Sequence, residues 1–170
     1  TPLEEGTLAE GIIDWQKRYD NMQQHTGEHI FSGLVHKHFG YDNVGFHMGT
    51  DEVTVDFNGI ITQEQLDALE DEANQLIYDN VPVHVFYPSK EELEQLDYRS
   101  KKELTGVVRI VEIPGGDICA CCGTHVETTG EVGIIKLRTM INYKGGVRIS
   151  MLCGRRALID YRERLKDEIR

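Results

Sequence analysis

Residues 14–39 contain the stretch that decides the fold, DWQKRYDNMQQHTGEHIFSGLVHKHF. Within it Trp15, Met22, His25 and His29 recur at near-helical spacing, and Gly40 is placed to end the helix. Because residues four apart lie one turn apart on the same face of a helix, the two imidazoles can reach a single ion. The stretch therefore predicts a long helix that carries half of a metal site.

A second pair of metal-binding side chains lies far along the chain from the first. Residues 121–125 read CCGTH, so they offer the thiolate of Cys121 and the imidazole of His125 in a glycine-containing loop. Together with His25 and His29 they form a set of three histidines and one cysteine. Zn²⁺ prefers nitrogen and sulfur ligands in a tetrahedron. We therefore expect one Zn²⁺ to join the helix to this distant loop.

The other cysteines have a separate interpretation. Three of the four cysteines lie within residues 119–122, too close together for ordinary disulfide geometry among themselves. In a cytosolic protein such a cluster is more often a metal or redox site than a disulfide framework. Cys119 is an alternative ligand to Cys121, and Cys122 is expected to point away from the ion if Cys121 points towards it. Cys153 is expected to be a small buried hydrophobic residue.

The remaining elements follow from capping and turn signals. Thr62 with Gln65 and Ser89 with Glu92 are two capping boxes, each of which begins a helix. Strands are predicted for two runs within residues 44–57 and for residues 83–87, 106–113, 132–141 and 147–152. Because strands and helices do not alternate regularly, we expect an α+β fold with a mixed, largely antiparallel sheet packed against helices.

Two of the predicted helices carry apolar stripes that we expect to face the core. In the helix that Thr62 begins, the stripe consists of Leu66, Leu69, Ala73, Leu76 and Ile77. In the last helix, residues 155–170, it consists of Leu158, Tyr161, Leu165 and Ile169.

The length of 170 residues suits a single domain over residues 1–170. The chain begins with Thr1 rather than Met, so we expect it to be a piece of a longer protein. No apolar run approaches the roughly 18 residues of a membrane span, and no signal peptide is visible. We therefore expect a cytoplasmic protein that does not bind membranes.

The formal net charge of -11 at pH 7 argues against non-specific nucleic-acid binding, because a phosphate backbone would be repelled. An RNA partner must therefore meet a local basic patch. One candidate cluster consists of Arg99, Lys101 and Lys102. The other consists of Arg155, Arg156, Arg162, Arg164 and Lys166. The second cluster is interspersed with acidic residues, so an ordinary solvated helix face is an alternative interpretation.

The order and spacing of these motifs resemble a known family. An HxxxH helix, followed much later by a CxxxH loop ending in Gly-Thr-His, is similar to the editing domains of alanyl-tRNA synthetases and to freestanding AlaX-type trans-editing proteins. The threonyl-tRNA synthetase editing domain is a more distant relative. Similar stretches occur at residues 13–15, 22–24, 129–133, 146–149 and 154–158. Three features depart from the family. Only the residues to about Glu10 precede this region, where the family usually has a glycine-rich β domain. The helix at residues 155–170 stops where longer members continue, and Cys122 stands where glycine is more common.

The resemblance implies Zn²⁺-dependent hydrolysis of the ester that joins serine or glycine to alanine tRNA. It places the metal ligands on His25, His29, Cys121 and His125. The resemblance also implies that Thr26 binds the serine hydroxyl and that Arg148 contacts the substrate's ribose or phosphate. The alternatives are an ordinary helix-surface threonine and an exposed strand arginine.

Such an editing site is needed because an alanine site excludes an added hydroxyl or a missing methyl by only about 1–3 kcal/mol. Glu28 is a candidate general base acting on water, with a solvent-exposed helix residue as the alternative. Arg155 and Arg156 are the candidate tRNA contacts. The ion could bind the substrate's amino group, activate a water molecule or only hold helix and loop together.

Two other functions remain open from the sequence. Residues 25–29 also satisfy the H-x-x-E-H pattern of inverted zincins, in which Glu28 would be the base of a metallopeptidase. That chemistry usually recruits a carboxylate as third ligand, whereas the better partner in this chain is a Cys–His pair. The second alternative is a non-catalytic, zinc-stabilised tRNA-binding module. Oligomeric state and the choice between serine and glycine are not indicated by any motif.

Overall fold

The computed structural model describes residues 2–100 and 104–169. In that part of the chain the first element is the predicted long helix, α1, which spans Trp15–Phe39. The other elements, in chain order, are β1 (Asn43–Met48), β2 (Val53–Phe57), α2 (Gln63–Asp79), β3 (His84–Phe86), α3 (Lys90–Gln95), β4 (Ile110–Ile113), β5 (Asp117–Ala120), a 3₁₀ helix (Thr129–Val132), β6 (Ile135–Tyr143), β7 (Gly146–Cys153) and α4 (Gly154–Glu168).

The strands form two antiparallel sheets. The larger sheet has the order β1-β2-β7-β6, and the smaller one has the order β3-β4-β5. Both sheets are built from hairpins, together with pairings between strands that lie far apart in sequence. The predicted α+β class is confirmed, with two antiparallel sheets in place of the single mixed sheet that we expected.

The ends of the helices follow the predicted capping signals. Asp14 accepts a hydrogen bond from the Lys17 N–H (3.1 Å), and Gly40, at φ 67°, donates its N–H to His36 O (2.8 Å). Both predicted capping boxes are present, one at the start of α2 and one at the start of α3. Within residues 2–100 and 104–169, no helix combines the length and the apolar character needed to cross a membrane.

The middle of α1 lies at the centre of the hydrophobic core. Ile30, Phe31, Leu34 and Val35 are fully buried, and the ring of Phe31 packs edge-on against that of Phe57, with 5.8 Å between the centroids. Burying each such side chain stabilises the fold by about 1.5–3 kcal/mol. The predicted apolar stripe of α2 is buried against the same core. The histidine-bearing turns of α1 are therefore continuous with its most tightly packed segment.

Several boundaries differ from the sequence prediction. The strand predicted for residues 106–113 begins only at Ile110. The strand predicted for residues 132–141 begins only at Ile135, and a 3₁₀ helix occupies residues 129–132 before it. Cys119, the alternative ligand, lies in β5. The loop that carries the CxxxH motif therefore begins directly after this strand, which fixes its starting point.

The prediction that the last helix buries one face is wrong. The four residues of that face are 37–84% exposed: Leu158, Tyr161, Leu165 and Ile169. Only Gly154 and Ala157, in the first turn of α4, are buried. The physical reason is that α4 is attached near its start, where the Arg156 guanidinium bonds the Asp20 carboxylate and Gly49 O (both 2.7 Å). Residue 170, the predicted end of this helix, lies outside the described residues.

Helix α1 also touches the end of β7 with almost no space between them. The side chain of Gln24 pairs with both backbone groups of Cys153, accepting its N–H and donating to its C=O at 2.8 Å each. A Cβ added to Gly27 would lie only 2.3 Å from Cys153 Sγ. Cys153 is fully buried, as expected. Gly27 therefore allows the contact between the helix and this strand.

We predict that Gly27→Ala lowers the free energy of unfolding by about 1–3 kcal/mol, since the added methyl overpacks against Cys153. The same substitution in a Cys153→Ala background should cost less, with a coupling of about 0.5–3 kcal/mol between the two sites. Urea unfolding of both single variants and the double variant measures this coupling. Gly11→Ala is the control, because its added Cβ would meet no atom within 4 Å. Equal costs of Gly27→Ala in both backgrounds would contradict the proposed contact.

Candidate metal centre

The structure brings the four predicted ligands together. His25 and His29 come from α1, and Cys121 and His125 come from the loop after β5. One donor atom from each residue lies within 4.8 Å of all the others. The three imidazoles converge, with centroid separations of 4.3, 4.7 and 4.9 Å. These four side chains therefore form a group that could hold a metal ion.

The spacing of the donors fits zinc. Bond lengths of about 2.3 Å to sulfur and about 2.0–2.1 Å to nitrogen give a tetrahedral S···N edge of about 3.6 Å. The distance from Cys121 Sγ to His25 Nε2 is 3.6 Å. The Nε2 atom of His125 is buried and has no hydrogen-bond partner among the described residues. A buried ring nitrogen without a partner is costly, and a metal ion would satisfy it.

The protonation of the cluster also suits metal binding. Burial by itself raises the pKa of Cys121, but its close contacts with the imidazoles of His125, His25 and His29 lower that pKa to about 3. Burial and the charges on His29 and His25 lower the pKa of His125 to about 4, against the opposing contact with Cys121. The cysteine is therefore a thiolate and His125 a neutral imidazole near pH 7. These are the forms in which both side chains bind zinc.

Three contacts hold the loop that carries Cys121 and His125 against α1. The Thr26 hydroxyl accepts the Val126 N–H (3.1 Å), and its oxygen lies 3.4 Å from His125 Nδ1. On the other side, His25 Nδ1 lies 3.1 Å from Thr124 O. Because a carbonyl only accepts hydrogen bonds, Nδ1 of His25 carries the hydrogen, and its Nε2 lone pair is free for an ion.

Arg109 is a further residue of the site that the sequence analysis missed. Its Nη1 donates to Cys121 O (2.6 Å) and to Gly123 O (3.0 Å), and its own carbonyl accepts the Cys121 N–H (3.1 Å). Arg109 thus fixes the backbone on both sides of Cys122, whose side chain is exposed. The available signal was a single arginine in the β-branched run that precedes the cysteines.

Thr26 and Glu28 have different surroundings from those we expected. Thr26 is fully buried, and its hydroxyl accepts the N–H of Val126, directly after His125. Glu28 was given solvent exposure as an alternative, but it is only 2% exposed. One oxygen of its carboxylate accepts hydrogen bonds from the Ser32 hydroxyl (2.6 Å) and the Asn43 amide (2.5 Å). Both residues therefore tie α1 to neighbouring elements.

The arginines predicted to contact the substrate or the tRNA have different surroundings in the structure. Arg148 forms a two-point ion pair with Asp56 (2.6 and 2.7 Å), and its guanidinium lies 3.8 Å from the centroid of the Tyr143 ring. Arg156 is occupied in attaching α4 to the fold. Arg155 is exposed.

The other predicted basic cluster does not offer its arginine to RNA. The Arg99 side chain is only 11% exposed, because it is paired with Asp117. Lys101 and Lys102 lie outside the described residues.

Comparison with known proteins gives consistent matches. Residues 108–150 match the family described as threonyl and alanyl tRNA synthetase second additional domain. The chain is 37% identical over 167 residues to alanyl-tRNA editing protein AlaX-L of Pyrococcus horikoshii, covering 96% of this chain and 41% of that protein.

Two further relatives carry the same kind of name. Alanyl-tRNA editing protein Aarsd1-A of Xenopus laevis is 34% identical over 163 residues, covering 93% of this chain and 40% of that protein. Alanyl-tRNA editing protein AlaX-M of Methanosarcina acetivorans is 35% identical over 147 residues, covering 82% of this chain and 60% of the relative. The chain therefore spans between two fifths and three fifths of the length of these three relatives.

We predict that Gly123→Ala weakens zinc binding without changing a ligand. A Cβ at this position would lie 2.3 Å from His25 Cε1 and would push the ring out of place. Displacing the support of a ligand typically costs about 10–100-fold in metal affinity. Competition with a chelator of known zinc affinity measures the loss, and Gly11→Ala is the control with open space around the added methyl. Unchanged zinc affinity in Gly123→Ala would show that the ring does not bind the ion in this position.

Proposed function

The chain is related over most of its length to the alanyl-tRNA editing proteins, and on that basis we propose that it is a zinc-dependent deacylase of mischarged alanine tRNA. Its substrate is the ester of serine or glycine with the terminal ribose of that tRNA. The observation that carries this proposal is the cluster of His25, His29, Cys121 and His125 within a region that matches these proteins. A soluble, cytoplasmic location is part of the same proposal.

The substrate is expected on the open side of the metal centre. His25 is half-buried, the ring of Phe46 stacks against it at 6.1 Å between centroids, and the neighbouring Cys122 is exposed. The opposite side is closed by His29, which is buried beneath β5. Bound zinc would supply positive charge that orients the polar groups of the aminoacyl ester. The side chain of the bound amino acid would therefore lie against Phe46 and the loop of residues 121–125.

Discrimination against correctly charged tRNA requires polar groups that serine satisfies and alanine does not. A site built to hydrogen-bond a hydroxyl leaves buried polar groups unpaired when the hydroxyl is missing, at a cost of about 1–3 kcal/mol for each group. We expected Thr26 to supply this contact. The Thr26 hydroxyl accepts the Val126 N–H, and its oxygen lies 3.4 Å from His125 Nδ1. These contacts favour a role for Thr26 in positioning His125.

The tRNA contacts follow from which arginines remain accessible. Arg155 is exposed and is the better candidate for the phosphate backbone, since Arg156 is bonded to Asp20, Asn21 and Gly49. The Arg148 side chain is 36% exposed, and Asp56 holds its guanidinium in one orientation. We retain Arg148 as a contact for the ribose or phosphate, because a preoriented guanidinium pairs well with phosphate oxygens.

The metallopeptidase alternative is less well supported by the site. An inverted zincin would need Glu28 to reach a water molecule at the metal, whereas this carboxylate is buried against Ser32 and Asn43. In place of the carboxylate that usually serves as third ligand, the cluster offers Cys121 and His125. The alternative of a non-catalytic zinc module has the same ligands, and only a measurement of turnover separates it from the proposed enzyme.

We predict that the purified chain, with one zinc bound per molecule, releases serine from serine-charged alanine tRNA and leaves alanine-charged tRNA intact. Single-turnover loss of the ester measures both reactions. His25→Ala should abolish the release and the bound zinc, because it removes a ligand. His38→Ala on the same helix is the matched control, since its ring bonds Glu72 away from the centre. A zinc-loaded chain that releases neither amino acid would favour the non-catalytic module.

We predict that Glu28→Gln retains deacylation within about tenfold of wild type. Glutamine keeps an oxygen that can accept the hydrogen bonds from Ser32 and Asn43. Loss of a general base would instead cost about 10²–10⁴ in rate, because no carboxylate would remain to take the proton. Single-turnover rates at equal zinc content measure the difference. A loss of several hundredfold with unchanged zinc affinity would assign the base to Glu28.

A further inference from the structure

We propose that Asp117 and Arg99 form a positioning chain behind the metal centre, which determines which ring nitrogen of His29 faces the ion. This inference rests on the proposed zinc site and extends it to two residues outside the ligand set. Neither residue belongs to the HxxxH or CxxxH motif. The chain of contacts runs from the Arg99 guanidinium through the Asp117 carboxylate to the His29 ring, and the four donor atoms of the metal centre lie beyond that ring.

The three side chains are joined by short hydrogen bonds in a buried environment. His29 Nδ1 donates to Asp117 Oδ2 at 2.8 Å. Arg99 donates from Nε to Oδ1 and from Nη2 to Oδ2 of the same carboxylate, at 2.7 Å each. The side chains of His29 and Asp117 are only 4% and 2% exposed. With its Nδ1 hydrogen given to Asp117, His29 presents the lone pair of Nε2 to the ion.

The backbone is shaped to make these contacts. Gly33 lies one turn after His29 on the same face of α1, and a Cβ there would lie 2.2 Å from Gly116 O. This lack of a side chain lets β5 approach the helix closely enough for Asp117, at the start of the strand, to reach His29. The segment that carries Arg99 adds to β5, with Arg99 N bonded to Ile118 O and Arg99 O bonded to Ala120 N.

A second metal site is a weaker explanation of the same residues. His29, Asp117 and Cys119 are all buried, and their donor atoms also lie within 4.8 Å of one another. The 2.8 Å between His29 Nδ1 and Asp117 Oδ2 is a hydrogen-bond distance. It is shorter than the edge of about 3.3 Å that nitrogen and oxygen ligands adopt around tetrahedral zinc. Since Arg99 already balances the charge of Asp117, this group supports the metal site and does not form another.

Asparagine at position 117 cannot reproduce these contacts. The carboxylate accepts three N–H donors, one from His29 and two from Arg99, on its two oxygens. An asparagine offers one oxygen and a donating NH₂ group, so at least one of the three bonds must be lost. One outcome is that His29 accepts from the new NH₂ group and carries its hydrogen on Nε2. The nitrogen that faces the ion would then be blocked.

Zinc affinity tests this assignment without using activity. We expect Asp117→Asn to bind zinc about 10–100-fold more weakly than wild type, measured by competition with a fluorescent chelator. Glu112→Gln is the matched control, since this carboxylate lies on the same β4–β5 hairpin but faces His84 at 3.5 Å. Its zinc affinity should equal that of wild type.

A spectrum of the wild-type protein provides a second test that does not depend on a variant folding. Long-range ¹H–¹⁵N correlation of the zinc-loaded chain should show the His29 hydrogen on Nδ1 and the metal on Nε2. Metal on Nδ1 would overturn the positioning chain, as would unchanged zinc affinity in a folded Asp117→Asn variant. In both cases the zinc site itself would stand. A wild-type chain that binds no zinc would overturn both the metal site and this inference.

Discussion

The contact between helix α1 and the loop after β5 is the constraint on which the rest of the site depends. A thiolate and three imidazoles within 4.8 Å of one another require the two backbones to approach closely. Gly123 permits this approach beside the His25 ring, and the Thr26 hydroxyl accepts the Val126 N–H where the loop leaves the site. Because the buried middle of α1 anchors the helix in the core, the loop must adapt to the helix.

Polar groups buried around this contact have hydrogen-bond partners, and several of these partners come from other elements. Asp117 is paired with Arg99 and His29, and Glu28 is bonded to Ser32 and Asn43. A buried charge without such partners costs several kcal/mol, so each network has to be complete for the site to be stable. Asn43 comes from β1, Asp117 from β5 and Arg99 from the segment before β4, so the surroundings of the candidate metal centre involve both sheets.

The parts of the structure that depend on short-range signals could be predicted from the sequence. The helix caps and the spacing within each pair of candidate ligands act over three to five residues, and the four side chains that the structure brings together were predicted in this way. Arg109 and Asp117 could not be found, because their roles depend on which strands pair and on how close β5 lies to α1. The exposed stripe of α4 was misread for the same reason, since amphipathic spacing does not show whether a neighbour covers it.

Under the proposed function, the charge of the chain limits how a tRNA can be bound. The formal net charge of -11 repels phosphate. Screening by physiological salt weakens this repulsion at distances beyond about 8 Å. Zn²⁺ bound by one thiolate and three neutral imidazoles would carry a local charge of +1. Positive charge would then be added at the metal centre, beside exposed side chains such as Arg155. For the proposed deacylase, this distribution would favour recognition of the aminoacylated end of the tRNA.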